Sequence, residues 1–365
     1  MQPDVSTPPR TTTGGHAWVS WLRTFAIVAV VVIHLTGNTA VSDPDRQTAV
    51  GQLAVTADFL ARWAVPVFVM VSGALLLDPS RYRGPRDFLR RRALRLVPAV
   101  VVWHLVYLAY VVFLDGRETG LRVTLGQVMD GRLYTALYFF WIVLGLALVT
   151  PVLVPWVAQV SSRAVGLAGV GALSMMVLSV VTAPIRESGL IWVDTAWTWW
   201  IPYLGYYLIG YGLRDVVLRG PRLALTALVT VAGSALLVWQ WARVDGLAGT
   251  IERYAPAEEY YGPVVAAVAI SIFVLGRSTI RPGGLLDVLC SPTLARVGYR
   301  LGGVTLGVFA VHLLVRQAVL ELPGIGGELV ATSVGQLLAR FAVVLVLSFA
   351  LALAASRIPV VRRVF

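Results

Sequence analysis

Lysine is absent from this 365-residue chain, and there is a single cysteine, Cys290. One thiol excludes an intrachain disulfide and a metal centre built from thiolates, and no metal is expected. Charge as a whole is scarce, at 13% of residues against 58% hydrophobic. A soluble domain of that composition could not cover its surface with polar atoms, so the chain is expected in a bilayer. No GxGxxG, P-loop, HExxH or GxSxG pattern occurs, and no repeat of about 20 to 50 residues is visible. Those absences remove the dinucleotide, phosphate-loop, metalloprotease and serine-hydrolase plans familiar from soluble enzymes.

What the chain has instead is apolar length. Blocks of about 17 to 25 residues recur along nearly all of it, each long enough to cross a ~30 Å hydrocarbon core as a helix. They predict an all-α, polytopic membrane helix bundle of about ten transmembrane helices, at 17–37, 53–77, 88–114, 134–157, 164–183, 196–213, 223–241, 261–276, 301–320 and 334–356. The eighth is short and contains Pro263. Residues 1–16, rich in Pro, Thr and Gly, read as a disordered tail rather than a cleaved signal peptide. A helical membrane domain over 17–356 and a basic C-terminus over 357–365 complete the expected organisation.

The 30 basic residues are all Arg, against 19 acidic ones, for a net charge of +11. In a soluble chain that excess would suggest nucleic acid. Here the arginines fall in short loops between apolar blocks, so membrane topology accounts for them and no nucleic-acid partner is expected. Loops after even-numbered helices carry Arg81, Arg83, Arg86, Arg90, Arg91, Arg92 and Arg95, then Arg214, Arg219 and Arg222, then Arg277, Arg281, Arg296 and Arg300. Odd-numbered loops collect Asp43, Asp45, Asp115, Glu118, Glu187, Asp194, Glu252, Glu258, Glu259, Glu321 and Glu328. The alternation places both termini in the cytoplasm of a multi-pass protein.

Ionisable side chains inside spanning helices cost about 2.5 to 3.5 kcal/mol each on insertion scales, which makes each a candidate for function. Arg23 and His34 bracket the first apolar run, RTFAIVAVVVIH. Their separation advances an ideal helix by three turns and roughly 20°, with a rise of about 16 Å, so both point the same way. They either line one polar path through the bundle, or Arg23 snorkels and His34 is a bonded core residue.

At this point the residues resemble the membrane acyltransferase-3 family. SWLRTFAIVAVVVIHL is similar to its first-helix signature of an Arg, ten residues and a His. RWAVPVFVMVSGALLL, FLRRRALRLVPAVVVW, YYLIGYGLR and GVFAVHLLV resemble its later motifs in order. Ser20 stands where many members carry Asp, and the VPVF form resembles the branch associated with enterobacterial common antigen and intercellular-adhesion polysaccharide. The resemblance implies a bacterial inner-membrane O-acyltransferase. Its donor would be acyl-coenzyme A, expected to be acetyl-coenzyme A, with no permanently bound cofactor. Its acceptor would be a hydroxyl of a cell-envelope carbohydrate or glycosylated metabolite. An exporter of a glycan or acylated compound is the alternative.

Within that resemblance His34 is the catalytic group, with Arg23 holding the donor or developing charge. Arg92 and Arg95, three apart on one helix face, are the expected coenzyme A phosphate contacts. Arg62, able to pair with Asp58 one turn earlier, either binds the acceptor or forms with Asp58 a pair that neutralises itself at the interface, and His312 with Arg316 one turn away is a further candidate for the acceptor. Trp192, Trp197, Trp199, Trp200 and Tyr203 form either an interfacial aromatic belt or a platform for sugar rings, with Trp199 the site candidate. Ser72 in VSGALLL reads as close packing or an alternative nucleophile, and His104 as a satisfied core residue.

Overall fold

The computed structural model describes residues 17–42, 48–114, 120–186, 195–242 and 246–365. The tail 1–16, with His16, and Asp43, Asp45, Asp115, Glu118, Glu187, Trp192 and Asp194 lie outside the described residues. Every regular element among the described residues is helical: α1 Ala17–Ser42, α2 Ala49–Ala61, α3 Ala64–Leu76, α4 Pro85–Phe113, α5 Leu121–Met129, α6 Tyr138–Val157, α7 Ser162–Arg186, α8 Leu204–Leu213, α9 Gly220–Ala242, α10 Gly246–Tyr254, α11 Pro263–Thr279, α12 Pro292–Gly303, α13 Thr305–Leu320 and α14 Val334–Ser356.

Among the described residues, seven helical segments are long and apolar enough to cross a membrane: α1, the combined α2–α3 stretch, α4, α6, α7, α9 and α14. An eighth arises if α12 and α13, bent by 61° at their junction, act as one span. The chain is therefore a multi-pass membrane protein. Three of the ten expected spans take other forms. The stretch 196–213 divides into turns and the ten-residue α8, about 15 Å long at 1.5 Å per residue. α11 has 17 residues because Pro263 occupies its first turn, where a missing N–H costs nothing, and so marks the helix start instead of interrupting it. The span expected at 301–320 begins at Thr305, after the break from amphipathic α12.

Burial sorts the helices by position. The most apolar window of α1 is 61% buried, against 11% for α9. α1 is the axis of the bundle, packed against α2, α3, α11, α12, α13 and α14. α3 packs closely on α8 through glycines. A Cβ on Gly73 would collide with the Tyr207 backbone, and one on Gly210 with the Met70 backbone. Beyond α14 the chain folds back, and the Trp103 Nε1–H donates to the Val364 carbonyl at 2.8 Å.

Candidate functional site

Arg23, Arg81, Arg91, Arg92 and Arg95 converge on one cavity of about 310 Å³ between α1, α3, α4, α6 and α13. That volume is at the lower end of the ~300–1,000 Å³ typical of small-molecule pockets. α4 delivers Arg91, Arg92 and Arg95 from its first turns, and Asp87 neutralises Arg91 through an i,i+4 ion pair. Arg92 lies over the Phe88 ring, its guanidinium carbon 5.5 Å from the centroid. Arg23 reaches in from α1, and its Nη2 donates to Thr305 Oγ1 at 2.9 Å. Thr305 is available because the helix breaks there, its hydroxyl in turn donating to the Gly302 carbonyl at 3.2 Å. Arg23, Arg92 and Arg95, read separately from the sequence, thus share one chamber whose deeper walls are Val71, Val143, Ala147 and Leu306.

The inner end of this cavity is aromatic. Phe68, Phe139 and Phe309 line it and touch one another, with ring centroids 5.9 Å apart for Phe68–Phe139 and 4.9 Å for Phe139–Phe309. Beyond Phe309 comes His312, at 5.8 Å between ring centroids, and then His34 at 5.1 Å from His312. His34 itself is not part of the cavity lining. Phe309 and then His312 therefore lie between the cavity that Arg23 lines and His34.

His312 is 1% exposed. Its Nδ1 sits 2.6 Å from the Phe309 carbonyl oxygen and 3.2 Å from that of Val308. A carbonyl only accepts, so Nδ1 carries the hydrogen of a neutral ring and Nε2 presents a lone pair. That Nε2 has no hydrogen-bond partner. The half-buried His34 faces it from α1, within electrostatic reach of Arg316 and Arg62 as well.

Arg62 sits at the junction of α2 and α3 and pairs with Asp58 at 2.6 Å, the i,i+4 pair that the spacing predicts. Asp58 is buried and accepts a long bond from Thr36 Oγ1 at 3.5 Å, which ties the pair to α1 two residues after His34. Two tyrosines join this group: Tyr138, in the aromatic stretch LYFFWIVLG that reads either as an interfacial belt or as a platform for sugar rings, and Tyr260, which carries no signal in its local sequence. Tyr138 and Tyr260 are hydrogen-bonded to each other, and Tyr260 also to Arg62. Loss of hydration pushes the Tyr260 phenol up despite the opposing Arg62 charge, so it remains a neutral donor. Trp199 contacts Tyr138 at 5.0 Å between ring centroids and donates its indole N–H to the Asp130 carbonyl at 2.7 Å. Tyr138 thereby links Arg62 to Trp199.

Two further residues resolve as the alternatives stood. His104 is fully used, with Nδ1 2.7 Å from the Val100 carbonyl and Nε2 accepting from the Trp141 indole at 3.1 Å. Ser72 lines the arginine cavity and donates to the Phe68 carbonyl at 2.9 Å, while the close packing in its motif belongs to Gly73.

A family model described as an acyltransferase domain matches residues 16–357. No curated protein and no solved structure matches the chain.

Proposed function

The chain belongs to the membrane acyltransferase-3 family, and from that premise we propose that it moves an acetyl group from acetyl-coenzyme A to a hydroxyl of a cell-envelope carbohydrate or glycosylated metabolite in a bacterial inner membrane. Membership supports membrane O-acyl transfer in general. The observation that carries the rest is the cavity ringed by five arginines, walled by apolar side chains, and ending on the ring next to a histidine pair.

Coenzyme A presents phosphate groups at one end and a thioester at the other. Arg92 and Arg95 grip the phosphates through charge-assisted bonds, with Arg23 deeper in the chamber. The apolar walls accept the pantetheine arm and direct the thioester toward Phe309. When that ring turns aside, the thioester reaches the histidine pair, His312 first and His34 beside it. His34 takes the proton of the acceptor hydroxyl while its oxygen attacks the thioester carbon, an effect worth about 10² to 10⁴ in rate. The tetrahedral adduct collapses, the carbon–sulfur bond breaks, and the coenzyme A thiolate leaves with the proton returned through the imidazole. His312 Nε2 accepts a hydrogen bond from the acceptor, and Arg62 with Trp199 contacts it on the far side. In this orientation the arginine cavity opens to the cytoplasm, where both termini lie.

The test is transfer by the purified full-length chain in detergent, with [¹⁴C]acetyl-coenzyme A and extracted envelope glycans. His34→Ala should abolish acetyl incorporation without altering expression. Vesicle flux of a glycan with no acetyl transfer would instead establish an exporter.

A further inference from the structure

Along α13, Phe309, His312 and Arg316 fall on successive turns, so cavity floor, imidazole and guanidinium follow one another along one helix face. Arg316 has no role in the donor chamber. It is 9% exposed, and Arg340 arrives beside it from α14 at 3%. The two side chains, with Leu35, Val319, Leu320 and Leu329, enclose a space of about 10 Å³, room for one water-sized atom. Leu35 is the chain neighbour of His34, which places this space next to the histidine pair, on the side away from Phe309.

Arg340 is braced, donating from Nε to the Ile325 carbonyl at 2.7 Å and from Nη2 to the Gly326 carbonyl at 2.9 Å. Arg316 is not. Among the described residues it donates no hydrogen bond and pairs with no carboxylate, and the ionisable groups in its reach are Arg340, the imidazoles of His34 and His312, and the phenols of Tyr134 and Tyr110. A largely buried guanidinium with no carboxylate partner, beside a second cation, is costly unless an anion completes it. The atom-sized space between them fits one oxygen of a carboxylate or phosphate.

We propose that Arg316, held in place with Arg340, binds an anionic oxygen of the acyl acceptor. The acceptor then carries a phosphate or a carboxylate about one helical turn from the hydroxyl that is acylated. The assignment of this ligand as acceptor rests on the transferase reading above, whereas the anion site needs no turnover to be measured.

The experiment uses the full chain in detergent with Arg92→Gln and Arg95→Gln introduced, so that the response of the donor chamber to phosphate is weakened and the dependence on Arg316 can be read above it. Thermal unfolding followed by intrinsic tryptophan fluorescence is titrated with inorganic phosphate, glucuronate or glucose. Phosphate or glucuronate should raise the midpoint and glucose should not; the more effective of the two anions identifies the acceptor group. Adding Arg316→Gln should weaken the apparent Kd at least about tenfold, the scale of one lost charge-assisted bond. Arg316→Lys should retain part of the binding, and serves in place of Arg316→Gln if that variant does not fold. His34→Ala should leave the midpoint shift intact, so a failed transfer assay and a failed anion site are separable. No stabilisation by either anion, equal stabilisation by glucose, or an unchanged Kd in Arg316→Gln would overturn the proposal.

Discussion

At the level of single residues, the arginines of this chain divide by what answers their charge. Arg62 and Arg91 have carboxylates one turn away. Arg23 has only a neutral hydroxyl, and it shares its chamber with Arg92 and Arg95. Crowding three cations without counter-ions in a walled space is unfavourable in the empty protein and favourable once a polyanion enters. Arg92→Gln and Arg95→Gln are accordingly expected to raise KM for acetyl-coenzyme A by about tenfold or more each, with a smaller change in kcat, since the phosphate contacts persist from ground state to transition state. Steady-state kinetics at two salt concentrations would check this. A native enzyme whose KM is insensitive to salt, or variants that lose kcat alone, would place the phosphates elsewhere.

Among the elements, the contact of α3 with α8 is the one most exposed to substitution, because backbone meets backbone there. Gly73→Ala should lower stability by about 1–3 kcal/mol, the cost of overpacking a close contact, whereas Gly171→Ala on α7, with open space at its Cβ position, should be neutral or slightly stabilising. Thermal unfolding of the two variants in the same detergent separates these outcomes. The same scale shows what the amino-acid order makes legible. α14 occupies 334–356 as its long apolar run, broken only by Gln336 and Arg340 among strongly polar residues, predicts, and α1 begins at Ala17 as expected. The placing of Arg92 and Arg95 on one face was likewise readable, because periodicity acts within a few turns, whereas their meeting with Arg23 comes from the packing of two helices. The 61° break before Thr305 was not readable. It falls at Val304, after Gly302 and Gly303 and without a proline, where amphipathic α12 gives way to apolar α13, and both helices pack on α1. Nor could spacing reveal Phe309 as the layer between Arg23 and His34, or bring Tyr138 to Tyr260. Those meetings join segments more than a hundred residues apart, and only the assembled bundle supplies them. Phe309→Ala tests the layer directly: removing the ring should widen acyl-chain selectivity, read as an increased ratio of butyryl to acetyl transfer, and an unchanged ratio would mean the ring does not limit the donor.

For the whole molecule, the charge asymmetry of the loops requires one face for the arginine chamber, and the chain carries its own reporter of that face. Cys290 is the single thiol. It precedes α12 by one residue beyond a 3₁₀ turn at Asp287–Cys290, in the stretch that also holds Arg281 and Arg296. If those arginines face the cytoplasm, as the positive-inside rule requires, Cys290 in intact cells should react with a membrane-permeant maleimide and be spared by an impermeant sulfonated one. Its chemistry sets the conditions. Partial burial and the neighbouring Asp287 carboxylate both push the thiol pKa up, so the thiolate fraction is small at neutral pH and labelling should accelerate as pH rises through 7 to 9. Protection from the impermeant reagent must therefore be judged at the alkaline end, where slow reaction cannot imitate shielding, and against lysed cells as the positive control. Rapid labelling by the impermeant reagent in intact cells would turn the bundle over, put the arginine chamber outside, and remove cytoplasmic acetyl-coenzyme A as the donor.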